Sequence, residues 1–254
     1  MDTVIWTALG VGAATVIGAG LGFIIKNPSH KVNDAILSFA AGVMLCAAVV
    51  GLILPSLPGE NPDFWGVALP IVGIFVGAIC LNLIDRLVPH LHKLTGADLE
   101  SHPDRTGQLN KVLLFVIAIA IHNLPEGIAA GVSAATGDSG LALTVAGGIA
   151  LQNIPEGMVI IAPMLASGIN KKRAFLIALS TGVVEVVGTL IGYLAVTVSE
   201  AVLPFALAFA GGTMLYVISD EMIPETHAHG NERLSTYTLL IGFAVMLVFD
   251  FLIG

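Results

Sequence analysis

The chain has 254 residues, 56% of them hydrophobic and only 11% charged, with a mean hydropathy of +0.93 and a net charge of −8. A soluble domain is about 25% charged, so there is too little polar surface here to coat a water-soluble globule of this size. Soluble enzymes, nucleic-acid binders and disordered regulators are excluded, and the 10 Lys and Arg form no basic patch for phosphates.

A spanning helix needs about 20 mostly apolar residues. The first such run covers about 4–25 and carries no charge. Its N-terminus, Met1-Asp2, lacks the basic start of a signal peptide, so the run is expected to stay as a membrane anchor. Further charge-free runs lie at about 35–55 and 64–84. The fourth, 112–136, holds Glu126; the fifth, 140–169, holds Glu156; the sixth, 174–199, holds Glu185. The seventh, 201–219, is again uncharged, and the eighth, 234–254, has only Asp250 near its end. The runs do not alternate as barrel strands would. The expectation is an all-α integral membrane protein, a single transporter domain over 1–254 with eight transmembrane helices. Cys46 and Cys80 read as buried small hydrophobes.

Eight spans put both termini on one side. Every Lys and Arg falls in or beside the first, third, fifth and seventh loops, whereas the opposite side holds Asp2, Glu60, Asp63, Asp138 and Glu200. By the positive-inside rule both termini face outward, and Trp6 and Trp65 then sit at the outer interface. The longest loop, about 89–107, is cytoplasmic and carries His90, His92 and His102. Gly-xxx-Gly spacings at Gly18/Gly22, Gly73/Gly77, Gly127/Gly131 and Gly188/Gly192 read as helix-packing contacts.

An ionised side chain at mid-bilayer costs about 2.5–3.5 kcal/mol on insertion scales. Glu126, Glu156 and Glu185 all fall near mid-span, and no intramembrane Lys or Arg neutralises them. Three carboxylates at one depth call for a cation, unless some are protonated and hydrogen-bonded. Their neighbours sharpen the reading. His122-Asn123-Leu124-Pro125-Glu126-Gly127 and Gln152-Asn153-Ile154-Pro155-Glu156-Gly157 form a local repeat. His122 with Glu126, and Gln152 with Glu156, are four apart and share a helix face. Pro125 and Pro155 should free the carbonyls of Ile121 and Leu151, opening a kink beside the ligands. Thr181, Glu185 and Thr189 add a third polar stripe. Imidazole, amide oxygen and carboxylate suit a divalent transition metal.

At these residues the sequence resembles the ZIP (Zrt/Irt-like) family of divalent-metal transporters, in its short-looped bacterial form. The stretch Val184–Gly188 resembles the family's sixth-span ligand segment, and Ser219–His227 its seventh-span intracellular end. Phe39–Met44 and Asp85-Arg86-x-x-Pro89-His90 resemble its second and third spans. The resemblance implies metal movement into the cytoplasm through an intramembrane binuclear centre, by an elevator-like shift of one helix bundle against another. Zinc is the default cargo, with iron, manganese and cadmium open. The first site would use His122, Glu126, Gln152 and Glu156, with Met44 close by. The second would use Asn123, Glu126, Asn153, Glu156 and Glu185. An exit path would pass Asp85, His90, Asp220, Glu221 and His227. Gln152 stands where many members have His, Asn153 where some have a carboxylate, and Asp220 where His is frequent. Met44 also reads as a core methionine, and Asp85 with Arg86 as an interfacial ion pair. A cell inner membrane is the expected location, and a homodimer stays open. Two other classes remain: a cation/proton antiporter using buried carboxylates, and an intramembrane metallohydrolase, against which stands the lack of HExxH.

Overall fold

A computed structural model describes residues 2–25, 28–59, 64–87 and 105–253. Eight long helices follow one another among the described residues. We number them α1 (Asp2–Gly22), α2 (His30–Cys46, prolonged by Ala47–Ile53 and Leu54–Ser56), α3 (Phe64–Leu87), α4 (Arg105–Ala135), α5 (Ser139–Val159, prolonged by Ile161–Ala166), α6 (Lys171–Val198), α7 (Leu203–Val217, prolonged by Ile218–Met222 and Ile223–Thr226) and α8 (Glu232–Ile253). Seven of them are long and apolar enough to cross a membrane. Their outer faces are coated with exposed large apolar residues such as Trp6, Phe64, Trp65 and Phe251, the surface that lipid requires.

Polar side chains cap the helix starts where the chain turns. Ser29 accepts from the Val32 amide, Asp138 from the Gly140 and Leu141 amides, and Asn170 from the Arg173 amide. The helices outrun the expected spans at several ends: α4 begins at Arg105 rather than 112, and α7 continues to Thr226 rather than 219. The fifth span runs from Ser139 to Ala166, its α-helix interrupted only at Ile160, which keeps right-handed helical backbone angles.

Both α2 and α7 widen into π-helix, at Ala47–Ile53 and Ile218–Met222, where Leu54 N donates to Val49 O and Ile223 N to Ile218 O. Each π segment lies just ahead of a proline, Pro55 or Pro224. A proline ring collides with the carbonyl four residues earlier, and a widened turn moves that carbonyl aside.

The helices pack as two groups of four. One group is α1, α4, α5 and α6; the other is α2, α3, α7 and α8. Inside each group glycines let backbones touch. A Cβ at Gly127 would collide with the Glu185 carbonyl, one at Gly18 with that of Ile154, and one at Gly157 with that of Thr15. In the second group Gly42 meets the Leu239 carbonyl and Gly77 that of Phe209. The Gly-xxx-Gly spacings thus serve packing, as expected. Across the boundary the small residues meet side chains instead: Gly51 faces the Val145 methyl, Gly147 the Phe249 ring and Gly148 the Met246 thioether.

Candidate transport centre

The [HQ]-N-x-P-E-G repeat places its two halves on α4 and α5, inside the first group and beside α6 and α1. Its glycines explain the convergence. Gly127 brings α6 against α4 at Glu185, and Gly157 brings α1 against α5 at Thr15. Glu126, Glu156 and Glu185 are all buried, as are Asn123, Gln152 and Asn153. The three carboxyl groups lie within electrostatic reach of one another, and Glu156 also of His122.

Amides interleave the carboxylates. Gln152 Nε2 donates to Glu126 Oε1 at 2.6 Å. Asn123 Nδ2 donates to Glu185 Oε1 at 2.5 Å, and Asn153 Nδ2 to Glu185 Oε2 at 2.8 Å. Thr15 Oγ1, from α1, donates to Glu185 Oε1 at 2.6 Å. Glu185 is therefore gripped from three helices. With their N–H groups spent on carboxylates, the amide oxygens are left over. Asn123 Oδ1, Gln152 Oε1, Asn153 Oδ1 and Glu126 Oε2 are buried without a hydrogen-bond partner. Leaving such an acceptor unsatisfied costs about 1–3 kcal/mol, and four sit in one place. Oxygens stripped of donors are what a cation needs. Among the described residues no three His, Cys, Asp or Glu already converge as a metal cluster; the donor set is half amide.

His122 behaves differently from its counterpart Gln152. Its Nε2 lies 2.8 Å from Glu221 Oε1, on the π segment of α7 in the other group. The carboxylate only accepts, so Nε2 carries the hydrogen. This contact ties the candidate centre to Glu221, a residue of the expected exit path.

The remaining expected residues are placed as follows. Met44 is fully buried and packs in the apolar core with Ile149, Met214 and Ile218. Asp220 is exposed and accepts from Tyr216 Oη at 3.2 Å, which in turn accepts from Asn82 Nδ2 at 2.6 Å. His227 closes the end of α7: its Nδ1 lies 2.9 Å from the Ile223 carbonyl and its Nε2 3.2 Å from Thr236 Oγ1. The Asp85 side chain and His90, with His92 and His102, lie outside the described residues.

Two features went unread in the sequence. Thr15 is a lone hydroxyl in an apolar span, and its partner is 170 residues away. Asp34 is buried and accepts from His229 Nδ1 and Asn231 Nδ2, both at 2.9 Å; in the sequence it sits at the border of the second span, among loop residues.

A family model described as ZIP Zinc transporter matches residues 86–250. The chain is 42% identical to the zinc transporter GufA of Myxococcus xanthus, over 96% of each chain. It is 37% identical to the zinc transporter ZIPB of Bordetella bronchiseptica, over 95% of this chain and 78% of that one. The chain belongs to the ZIP family. As a ZIP transporter it is an integral membrane protein and not an enzyme, which removes the metallohydrolase reading. The zinc transporter ZupT of Chlorobaculum parvum, 32% identical over 93% of this chain and 92% of that one, adds a third bacterial ZIP relative.

Proposed function

We propose that the protein carries zinc into the cytoplasm through the carboxylate–amide centre between α4, α5 and α6. The observation that carries this reading is the set of four buried oxygens without donors, standing among three carboxylates and one imidazole. The zinc named in the relatives' descriptions fits that chemistry, since zinc accepts imidazole and carboxylate, while manganese and iron share the oxygen ligands. In this reading His122, Glu126, Gln152 and Glu156 hold one ion. Asn123, Glu126, Asn153, Glu156 and Glu185 hold a second, the glutamates bridging. Met44 borders the centre, and ions leave past Asp85, His90, Asp220, Glu221 and His227.

The packing supports an elevator-like motion. Backbone-to-backbone glycine seams make each four-helix group rigid, whereas side chains that can change rotamer meet across the boundary. The first group would then slide with its cargo against the second. His122 is a latch across that boundary, and its contact with Glu221 must break when the groups slide.

The decisive experiment is zinc uptake by the purified protein in liposomes, with sodium as the competing substrate of the antiporter reading. Glu126→Ala should reduce zinc uptake to the protein-free background while the protein still elutes as a folded species. Wild-type uptake in that variant would sink the centre. The bacterial relatives and the one-sided basic residues support an inner membrane with both termini outside. A single cysteine at 61 should react with an impermeant thiol reagent applied to intact cells, and one at 172 should not; the reverse labelling would invert the direction of transport.

A further inference from the structure

A cluster of histidine, aspartate and asparagine side chains lies at the basic end of the molecule, where α2 begins and α7 turns into α8. Asp34, the fifth residue of α2, is 2% exposed. Both of its oxygens are engaged by that turn: Oδ1 by His229 Nδ1 and Oδ2 by Asn231 Nδ2. Gly230 between them has a φ of +78°, the left-handed backbone that glycine adopts at no steric cost, and it lets both neighbours reach one carboxylate. The His30 ring lies beside that of His229, with centroids 4.8 Å apart and planes tilted by 30°. His30, Asn33 and Asp34 are spaced i, i+3 and i+4, so they share one face of α2. Asn33 Oδ1 is also buried without a hydrogen-bond partner.

We propose that His30 and His229 form a divalent-metal site on this rim, separate from the transport centre, with Asp34 as the residue that orients it. A carboxylate can only accept, so Asp34 fixes the hydrogen of His229 on Nδ1 and leaves the Nε2 lone pair for a metal. Carboxylate to imidazole to metal is the arrangement that orients histidine ligands and raises their basicity. Two adjacent imidazoles without a third acidic or histidine ligand, as the described residues show, make a site completed by water. Such a site holds zinc or a neighbouring divalent ion and releases it readily. It suits an ion in passage, which rests on the reading that metal leaves at this end. Glu221, which holds His122, lies eight residues before His229 on the same descending chain.

The test uses the full chain with the transport centre disabled by Glu126→Ala and Glu156→Ala, titrated with zinc against a competing chelating dye. His229→Asn keeps an N–H donor for Asp34 but removes the imidazole; His30→Gln removes the other. Each is expected to lose one zinc equivalent from that background, with the metal-free unfolding temperature unchanged. An unaltered stoichiometry and affinity in both variants would overturn the site. Should His229→Asn fail to fold, His30→Gln decides alone, because His30 is exposed on the rim. The transport reading fails separately, through unchanged zinc binding and uptake on mutating Glu126 alone.

Discussion

The two halves of the repeat share four identities at six positions, yet their first residues do opposite things. On α5, Gln152 turns inward and donates to Glu126 within its own helix group. On α4, His122 turns outward and engages Glu221 of the other group. The shared residues behave alike: Asn123 and Asn153 both donate to Glu185, from either side. The shared glycines seat the two flanking helices, α6 at Glu185 and α1 at Thr15, and those two residues then bond to each other. A motif written twice thus builds a nearly symmetric cradle. The single change from amide to imidazole decides which half bonds across to the other helix group.

The strongest way to break this comparison is to erase its difference. His122→Gln makes the two halves alike and removes the only imidazole of the proposed centre, while keeping an N–H donor for Glu221. Loss of even an outer partner of a metal ligand costs about 10–100-fold in affinity or activity, so zinc uptake should fall by at least about tenfold. Liposome flux at saturating zinc measures it, and undiminished flux would mean that His122 is a structural tie only.

Gln152→His erases the difference in the other direction. An imidazole at 152 adds a nitrogen ligand four residues from Glu156 and withdraws the amide from Glu126. Nitrogen ligation favours zinc over manganese. Tighter holding slows release, since passage needs binding weak enough to leave. The expected result is a several-fold lower zinc KM, a lower maximal rate and weaker competition by excess manganese. If zinc affinity and metal preference both stay put, Gln152 serves packing and not coordination.

The smallest expected effect belongs to the flank of the cradle. Thr15→Val keeps the shape of the side chain and deletes the donor that holds Glu185 Oε1. Removing one partner of a buried hydrogen bond costs about 1–3 kcal/mol, and the metal-free unfolding midpoint should drop accordingly. Thr15→Ser, which keeps the hydroxyl, should recover most of the loss. Equal midpoints for Val and wild type would show that Asn123 and Asn153 suffice to hold Glu185.

The sequence made the helices legible because a chain with so few charges has little alternative, and it made the centre legible because carboxylates without cations at mid-span demand a reason. Residues that act through partners distant in the chain were not legible. Nothing near Thr15 or Asp34 announces a bond to Glu185 or to His229, 170 and 195 residues away. The prolines at 125 and 155 drew attention as kinks, and both stand inside α-helix, in α4 and α5. The widened turns stand instead ahead of Pro55 and Pro224, where a wide turn and a kink look the same in a list of residues.

The glycine seams also determine which errors the chain can survive. A new methyl group at Gly42, Gly77, Gly127 or Gly157 would meet a backbone carbonyl, which cannot swing away as a side chain can. At Gly51, Gly147 or Gly148 it would meet a methyl, a ring or a thioether, all of which can rotate. Copying errors in the first set are therefore removed by misfolding, whereas those in the second leave a folded protein with repacked side chains between its two helix groups. Tolerance to Gly→Ala along the gene would then be greater where the two helix groups meet than inside either group, so the pattern of accepted changes would mark where one group ends and the other begins.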